Sequence, residues 1–292
     1  MKGTVDSMQK IIVTSDSTCD LEPEVRTKYN IITLPLHINY DKSSHLDNVD
    51  ITPDDIYKKF GETGELPKTA ATSVGEYKDF FEKYINEGYE IIHVNLGSGL
   101  SVCHQNVCIL SKEFPQIHPV DSRNLSTGTG MIAIRASQLA SEGKTVEEIL
   151  PIIEDYGRRI HGSFILDRLN YLAAGGRCSS LVALGANLLN LKPCIEISYE
   201  ECGKMTVGKK YRGKYVESMK QYIDYKLSLF DGIIPDEVYF THAGIDSETV
   251  GDIEQFLRDK NMFSEVITSR ASCTISSHCG PNTGGIFFVT EK

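Results

Sequence analysis

The chain has 292 residues, 40% of them hydrophobic and 24% charged, the balance of a folded globular protein rather than a disordered one, and its length favours two domains. Forty acidic residues against thirty Lys and Arg leave a formal charge of −10, which argues against a general nucleic-acid binder, whose affinity rests on neutralising phosphates. Apolar runs are about four residues at most, as at 131–134, far short of the roughly 20 needed to span a bilayer, and the first ten residues (MKGTVDSMQK) lack the apolar core of a secretory signal.

In chain order, IIVT at 11–14 predicts a strand, followed by Asp16-Ser17-Thr18 and a short helix. IITLPLHI at 31–38 predicts a second strand. Over 74–88 Val74, Tyr77, Phe80, Phe81, Tyr84 and Ile85 fall on one helical face. Ser73 and Glu76 have capping-box spacing at its start, and Gly88 ends it. A strand at 91–96 runs into a glycine-serine turn, with a helix following over 102–113. A strand at 117–120 leads to Asp121-Ser122. Helices follow at 129–142 and 146–160, the latter with Thr145 and Glu148 at capping-box spacing, then a strand at 162–167. This alternation predicts a parallel sheet covered on both faces, a Rossmann-like first domain.

Beyond it, 168–177 predicts a helix closed by Gly175-Gly176, and 181–190 an apolar helix. Two strands around a Glu201-Cys202-Gly203 turn form a hairpin over 192–212. A helix at 214–230, a strand at 237–244, a helix at 248–260 and strands at 264–269 and 284–290 complete a mixed-sheet α/β domain. The expected division, placed near 163–170, gives domains 10–165 and 166–292, the first carrying the binding loops described next.

LGSGLS at 96–101 stands between an apolar strand and a helix. Ligands of open α/β sheets bind beyond the carboxyl ends of strands, where helix N-termini offer free N–H groups and partial positive charge. Ser98 and Ser101 add hydroxyls, and Gly97 and Gly99 allow close approach to the backbone. The segment suits a carboxylate or phosphate; equally, one serine there simply caps the helix. PKTAATSVGEY at 67–77 is a second such place, with Ser73 as cap and Thr69 left free. SSHCGPNTGG at 276–285 predicts a tight turn with His278 at its start, either a structural histidine or a pH-dependent cation beside an anion.

GTGMIA at 128–133 matches the G-x-G-x-x-A dinucleotide fingerprint, but it does not follow the first strand, and the acids about twenty residues on (Glu147, Glu148) start a helix. NAD is therefore not expected. Ser98 lacks the first glycine of a G-x-S-x-G nucleophile elbow, because Leu96 stands there. A serine hydrolase of small esters using Ser98 or Ser101 with His242 or His278 and Asp121 is the alternative of a different class. The eight cysteines form no C-x-x-C pair and no zinc spacing; reduced, mostly buried thiols and no metal are expected, with a cytoplasmic location. Between 204 and 226 seven cations face only Glu217 and Asp224, either a face for an anionic partner or a lysine-protected edge strand.

Together these segments resemble the DegV family of bacterial fatty-acid-binding proteins, from about residue 11 to the end. SDSTCDL (15–21) is similar to its first-strand signature, PKTAATSVGEY to its P-K-T-S-Q-P-S pattern and GSGLSVCHQN (97–106) to S-S-x-L-S-G-T-Y-x-S. VDSRNLSTGTG (120–130), LNYLAAGGRCS (169–179), LLNLKP (188–193) and then YRGK (211–214) with SHCGPNTGG follow in family order. Departures are Ala70-Ala71-Thr72 for Ser-Gln-Pro, Val102-Cys103-His104 for Gly-Thr-Tyr, and Cys279-Gly280-Pro281-Asn282 in the last turn.

The resemblance implies a lipid-binding subunit rather than an enzyme. It would hold a long-chain fatty acid such as palmitate or oleate between two domains, without a cofactor. The carboxylate would lie at Thr69, Ser101, Ser98 and Gly99, near His278. A separate ATP-dependent fatty acid kinase subunit would phosphorylate it, with Arg212 and Arg177 as contacts to partner or phosphate. Leu181, Leu184, Leu188, Leu189 and Ile195 are candidates for the acyl tunnel.

Overall fold

The structure is a computed structural model and describes residues 9–182 and 191–292. The first part runs β1 (Ile11–Asp16), α1 (Pro23–Lys28), β2 (Ile31–Leu34), β3 (His37–Tyr40), β4 (Ser43–Leu46), α2 (Pro53–Thr63), β5 (Lys68–Ala70), α3 (Val74–Asn86), β6 (Glu90–Asn95), α4 (Cys103–Leu110), β7 (Ile117–Asp121), α5 (Thr127–Ser141) and α6 (Val146–Arg158). Four strands form the expected parallel sheet, in the order β2-β1-β6-β7. Helices cover both faces, so β1 and β6 are buried almost continuously rather than in alternation. Both expected capping boxes form, Ser73 with Glu76 on α3 and Thr145 with Glu148 on α6.

The strand expected over 31–38 is two strands. Pro35 supplies no N–H and breaks the ladder, and β3 turns away into a three-stranded antiparallel sheet, β4-β3-β5. There Thr69 pairs with Ile38. Helix α2, absent from the sequence reading, starts at a capping box formed by Thr52 and Asp55, with Pro53 in its first turn.

The second part runs β8 (Ile160–Ile165), α7 (Asn170–Gly175), α8 (Ser179–Val182), β9 (Leu191–Ser198), β10 (Lys204–Arg212), α9 (Tyr215–Ser228), β11 (Glu237–Ala243), α10 (Ser247–Asp259), β12 (Glu265–Arg270), α11 (Cys273–Cys279) and β13 (Thr283–Val289). Its sheet has the order β10-β9-β8-β13-β11-β12. Only the β11–β12 pair is parallel, so the sheet is mixed. The strand expected at 162–167 pairs here, between β9 and β13. Most of the helix expected at 181–190 lies outside the described residues, as do Leu184, Leu188 and Leu189 and the side chain of Leu181.

One apolar core joins the two sheets: Val13, Ile92 and Val94 of the first share it with Phe164, Tyr239 and Phe287 of the second. Helix α5 packs against the loop after β1, where a Cβ on Gly130 would lie 2.6 Å from the Cys19 carbonyl and from Leu21. The glycines that imitate the dinucleotide fingerprint thus serve a helix–loop contact. All eight cysteines are free thiols and six are buried. Among the described residues no helix is long and apolar enough to cross a membrane, and no His, Cys, Asp and Glu cluster could hold a metal.

Candidate ligand-binding site

A cavity of about 60 Å³ lies between the two sheets. Leu36, Leu96, Leu100, Leu125, Leu172 and Met205 make its walls predominantly aliphatic. Three polar side chains from distant segments meet on it: Thr69 from β5, Ser101 from the loop before α4, and His278 from α11. Arg177 lines it as well, its Nη1 donating to the Gly175 carbonyl at 2.6 Å.

Thr69 Oγ1 and His278 Nε2 are hydrogen-bonded at 2.9 Å across 209 residues of chain. His278 Nδ1 is buried without a partner. Orphaned buried N–H groups are rarer than orphaned acceptors, which favours the tautomer with the proton on Nε2. His278 then donates to Thr69, and the threonine hydroxyl proton is free to point at a ligand. Burial, with Arg177 nearby, pushes the imidazole down to about 4, so it is neutral at pH 7. Ser101 Oγ accepts the Cys103 N–H at 3.3 Å and faces Cys103 Sγ at 3.2 Å. Sulfur is a weak acceptor, so an oxyanion would outcompete it for that hydroxyl proton.

Three buried aspartates of the N-terminal half hold the site in place. Asp47 accepts the Cys273 N–H at 2.7 Å, the Thr274 N–H at 3.3 Å and the Ser17 hydroxyl at 2.8 Å. Asp20 accepts the Ser272 N–H at 2.9 Å and the Ser126 hydroxyl at 2.5 Å. Both therefore satisfy free N–H groups at the start of α11, the helix that carries His278. Asp16 acts on the opposite wall, accepting the Leu96 N–H at 3.1 Å and donors from Tyr77 and Asn95. Burial raises the Asp16 carboxyl, but His93 at 3.3 Å and these donors outweigh it and hold it below its ordinary value.

The arrangement is an aliphatic cavity on which two hydroxyls, a neutral imidazole and the Arg177 guanidinium converge. The family profile described as "Uncharacterised protein, DegV family" matches residues 10–291. The chain belongs to the DegV family. A DegV domain-containing protein of Caldanaerobacter subterraneus is 32% identical over 283 residues, covering 96% of this chain and 99% of the relative. A DegV family protein from Thermus thermophilus, whose structure is described as fatty acid binding, superposes with a TM-score of 0.89 at 26% identity, covering 97% of this chain and 100% of that one. A Thermotoga maritima protein whose structure is described as revealing fatty acid binding function gives 0.82 at 26% identity over 97% and 99% of the two chains.

In this DegV chain not every expected contact reaches the cavity. Ser98 directs its hydroxyl to Asp121 at 2.5 Å and lies outside the cavity lining. Gly97 and Gly99 make room for protein rather than ligand. The Gly99 N–H donates to the Cys202 carbonyl at 2.9 Å, and a Cβ on either glycine would lie 2.6 to 2.8 Å from that carbonyl. The tip of the β9–β10 hairpin occupies the space. His278 stands on a helix, not in a turn; the turn follows it, with positive φ at Gly280 and Asn282. Arg212 lines a separate open groove with Lys209, Lys210 and Tyr225, away from Arg177. Ile195 is fully buried in the shared core, outside the cavity lining.

The hydrolase alternative fails on partners: Ser98 is bonded to a carboxylate, Ser101 to a thiol, and His278 to Thr69. His242 pairs in register with Arg270 on β12. The sequence reading missed the roles of Asp16, Asp20 and Asp47; the one signal was SDSTCDL, which holds Asp16 at the end of buried β1 and Asp20 four residues on, and nothing marked Asp47.

Proposed function

We propose that this protein holds a long-chain fatty acid, its carboxylate at Thr69, Ser101 and His278 and its tail in the aliphatic cavity, and offers it to a separate ATP-dependent kinase subunit. The observation that carries the reading is the convergence of the Thr69–His278 pair and Ser101 on one aliphatic cavity. Burying a C16 tail gains about 0.8 kcal/mol per methylene, on the order of 10 kcal/mol gross. The carboxylate must keep hydrogen bonds when water leaves, and two hydroxyls with the N–H groups opening α4 can provide them. At about 60 Å³ the cavity is below the roughly 300–1,000 Å³ of ordinary ligand pockets. Loading therefore parts the walls, which unbranched Met205 and the leucines can do by rotamer change.

The resemblance supports the kinase step, with Arg177 near the head group for a phosphate and Arg212 on its own groove for docking. Both positions match the family pattern. Organic extraction of the purified protein, followed by mass spectrometry, is expected to release a fatty acid in about equimolar amount. A lipid-free protein that also ignores added palmitate and oleate would refute the binding reading. For the partner step, Arg212→Ala is expected to slow acyl phosphate formation by an added kinase subunit while fatty-acid affinity stays unchanged.

A further inference from the structure

A separate cavity of about 330 Å³ lies where α5 and the end of α6 meet the start of β11 and the end of β13. It shares no lining residue with the cavity described above and falls at the lower end of the roughly 300–1,000 Å³ of ordinary ligand pockets. Its floor is aliphatic, made by Met131 and Ile134 from α5 with Ile234 and Val289. The helices bring two guanidiniums to it, Arg135 and Arg159, and the start of β11 brings two carboxylates, Asp236 and Glu237. Arg159 is already held: its Nε donates to Asp155 at 3.0 Å and its Nη1 to the Thr290 carbonyl at 3.1 Å. Arg135 has no carboxylate within ion-pair distance among the described residues, and its one side-chain hydrogen bond there is long, Nη1 to Gln138 Oε1 at 3.4 Å. Asp236 and Glu237 likewise have no cation at ion-pair distance among the described residues. Glu237 accepts the Tyr239 hydroxyl on Oε2 at 2.9 Å, and Lys28 attracts it from outside the cavity lining. All four charges of the cavity bear on one phenol, Tyr156. Burial pushes it up to about 12, Glu237 and Asp236 adding to the rise while Arg135 and Arg159 oppose it. Unpaired charges of both signs thus face one space above a hydrocarbon floor.

We propose that this cavity binds a small aliphatic amino acid, its carboxylate on the Arg135 guanidinium, its ammonium on Glu237 and Asp236, and its hydrocarbon on the floor of Met131, Ile134, Ile234 and Val289. A plain anion entering here would meet two carboxylates, and a plain cation would meet Arg135; like charges brought together cost several kcal/mol. An uncharged apolar molecule would cut the guanidinium and the carboxylates off from water with no partner in return. A zwitterion answers both signs at once, and the guanidinium can take its carboxylate through two parallel N–H bonds. The site is independent of the fatty-acid reading, since no residue is shared.

The test is titration calorimetry on the full chain preincubated with palmitate, which keeps short acids out of the first cavity. Two zwitterions are the probes: L-leucine, with its charges on one carbon, and 6-aminohexanoate, with its charges at opposite ends of a methylene chain. Each is compared with its two singly charged analogues, 4-methylpentanoate and 3-methylbutylamine for leucine, hexanoate and hexylamine for 6-aminohexanoate. One zwitterion is expected to bind with one-to-one stoichiometry and at least tenfold more tightly than both of its analogues; which one does reports the spacing of the charges in the site. Arg135→Gln is expected to weaken it at least tenfold, to the level of the amine, and Glu237→Gln to the level of the acid, with palmitate affinity unchanged in both. The analogue series is read on the wild-type protein, so the answer does not depend on either variant folding. Failure of both zwitterions to bind, an analogue that binds as tightly as its parent, or full affinity retained in folded Arg135→Gln and Glu237→Gln would overturn the proposal.

Discussion

Gly175, at the end of α7, stands so close to the Nδ1 side of the His278 ring that a Cβ there would overlap it. The glycine thereby sets where the imidazole can sit, and the imidazole in turn holds Thr69. Gly175→Ala is expected to displace the ring and weaken palmitate binding at least tenfold. In a His278→Ala background the same substitution is expected to cost nothing further, a non-additivity that a double-mutant cycle reads directly. Independent, additive losses would show that Gly175 acts elsewhere.

Thr69→Ala combined with Ser101→Ala removes both hydroxyl donors. Hydrogen bonds to a charged acceptor are worth about 1.5–3 kcal/mol each, so affinity is expected to fall about 100-fold or more. The melting temperature should fall as well, because His278 Nε2 and the Cys103 N–H lose their partners, while the fold persists. Unchanged affinity would take these residues out of the site.

An ionised carboxylate placed beside His278 favours the imidazolium, so loading raises a pKa that burial holds down to about 4. Binding should therefore take up protons in the acid range above pH 4, and little at pH 8, where the ring is neutral with or without ligand. Calorimetry at pH 5.5 in buffers of different ionisation enthalpy measures this uptake, and His278→Gln should abolish it. Proton-neutral binding of the wild type at pH 5.5 would place the carboxylate away from the ring.

Burial pushes the Asp20 carboxyl up to about 7, against the donors from Ser126 and Ser272, which lower it. The folded chain thus binds this proton more tightly than the unfolded chain, whose value is near 3.8. The contribution to stability is full below that lower value and is lost as pH rises through about 7. Asp20→Asn keeps an acceptor for the Ser272 N–H without the charge. Its melting temperature relative to wild type should rise between pH 6 and pH 8.5; a constant difference would mean that Asp20 does not titrate there.

What the sequence made legible was local. The apolar runs of β1 and β6 and the capping boxes of α3 and α6 depend on neighbours a few residues away. Helix α2 escaped because its box closes with Asp55 rather than Glu or Gln. The close backbone approach at Gly97 and Gly99 was readable, but not that its object is the Cys202 carbonyl, a hundred residues on. Asp20 and Asp47 have their helix partners 252 and 226 residues away, and no periodicity encodes such a contact. Thr69 and His278 were each legible as candidates, a hydroxyl left free beside a helix cap and an imidazole at a glycine-proline turn, but that they meet across 209 residues was not.

The Thr69–His278 bond joins positions near opposite ends of the polypeptide. While the chain is being made, the threonine leaves the ribosome long before the histidine exists, so a half-finished molecule has only half of the clasp. On the proposed function, a fatty acid would be retained only once α11 has docked on Asp20 and Asp47, so a truncated or misassembled copy would hold none.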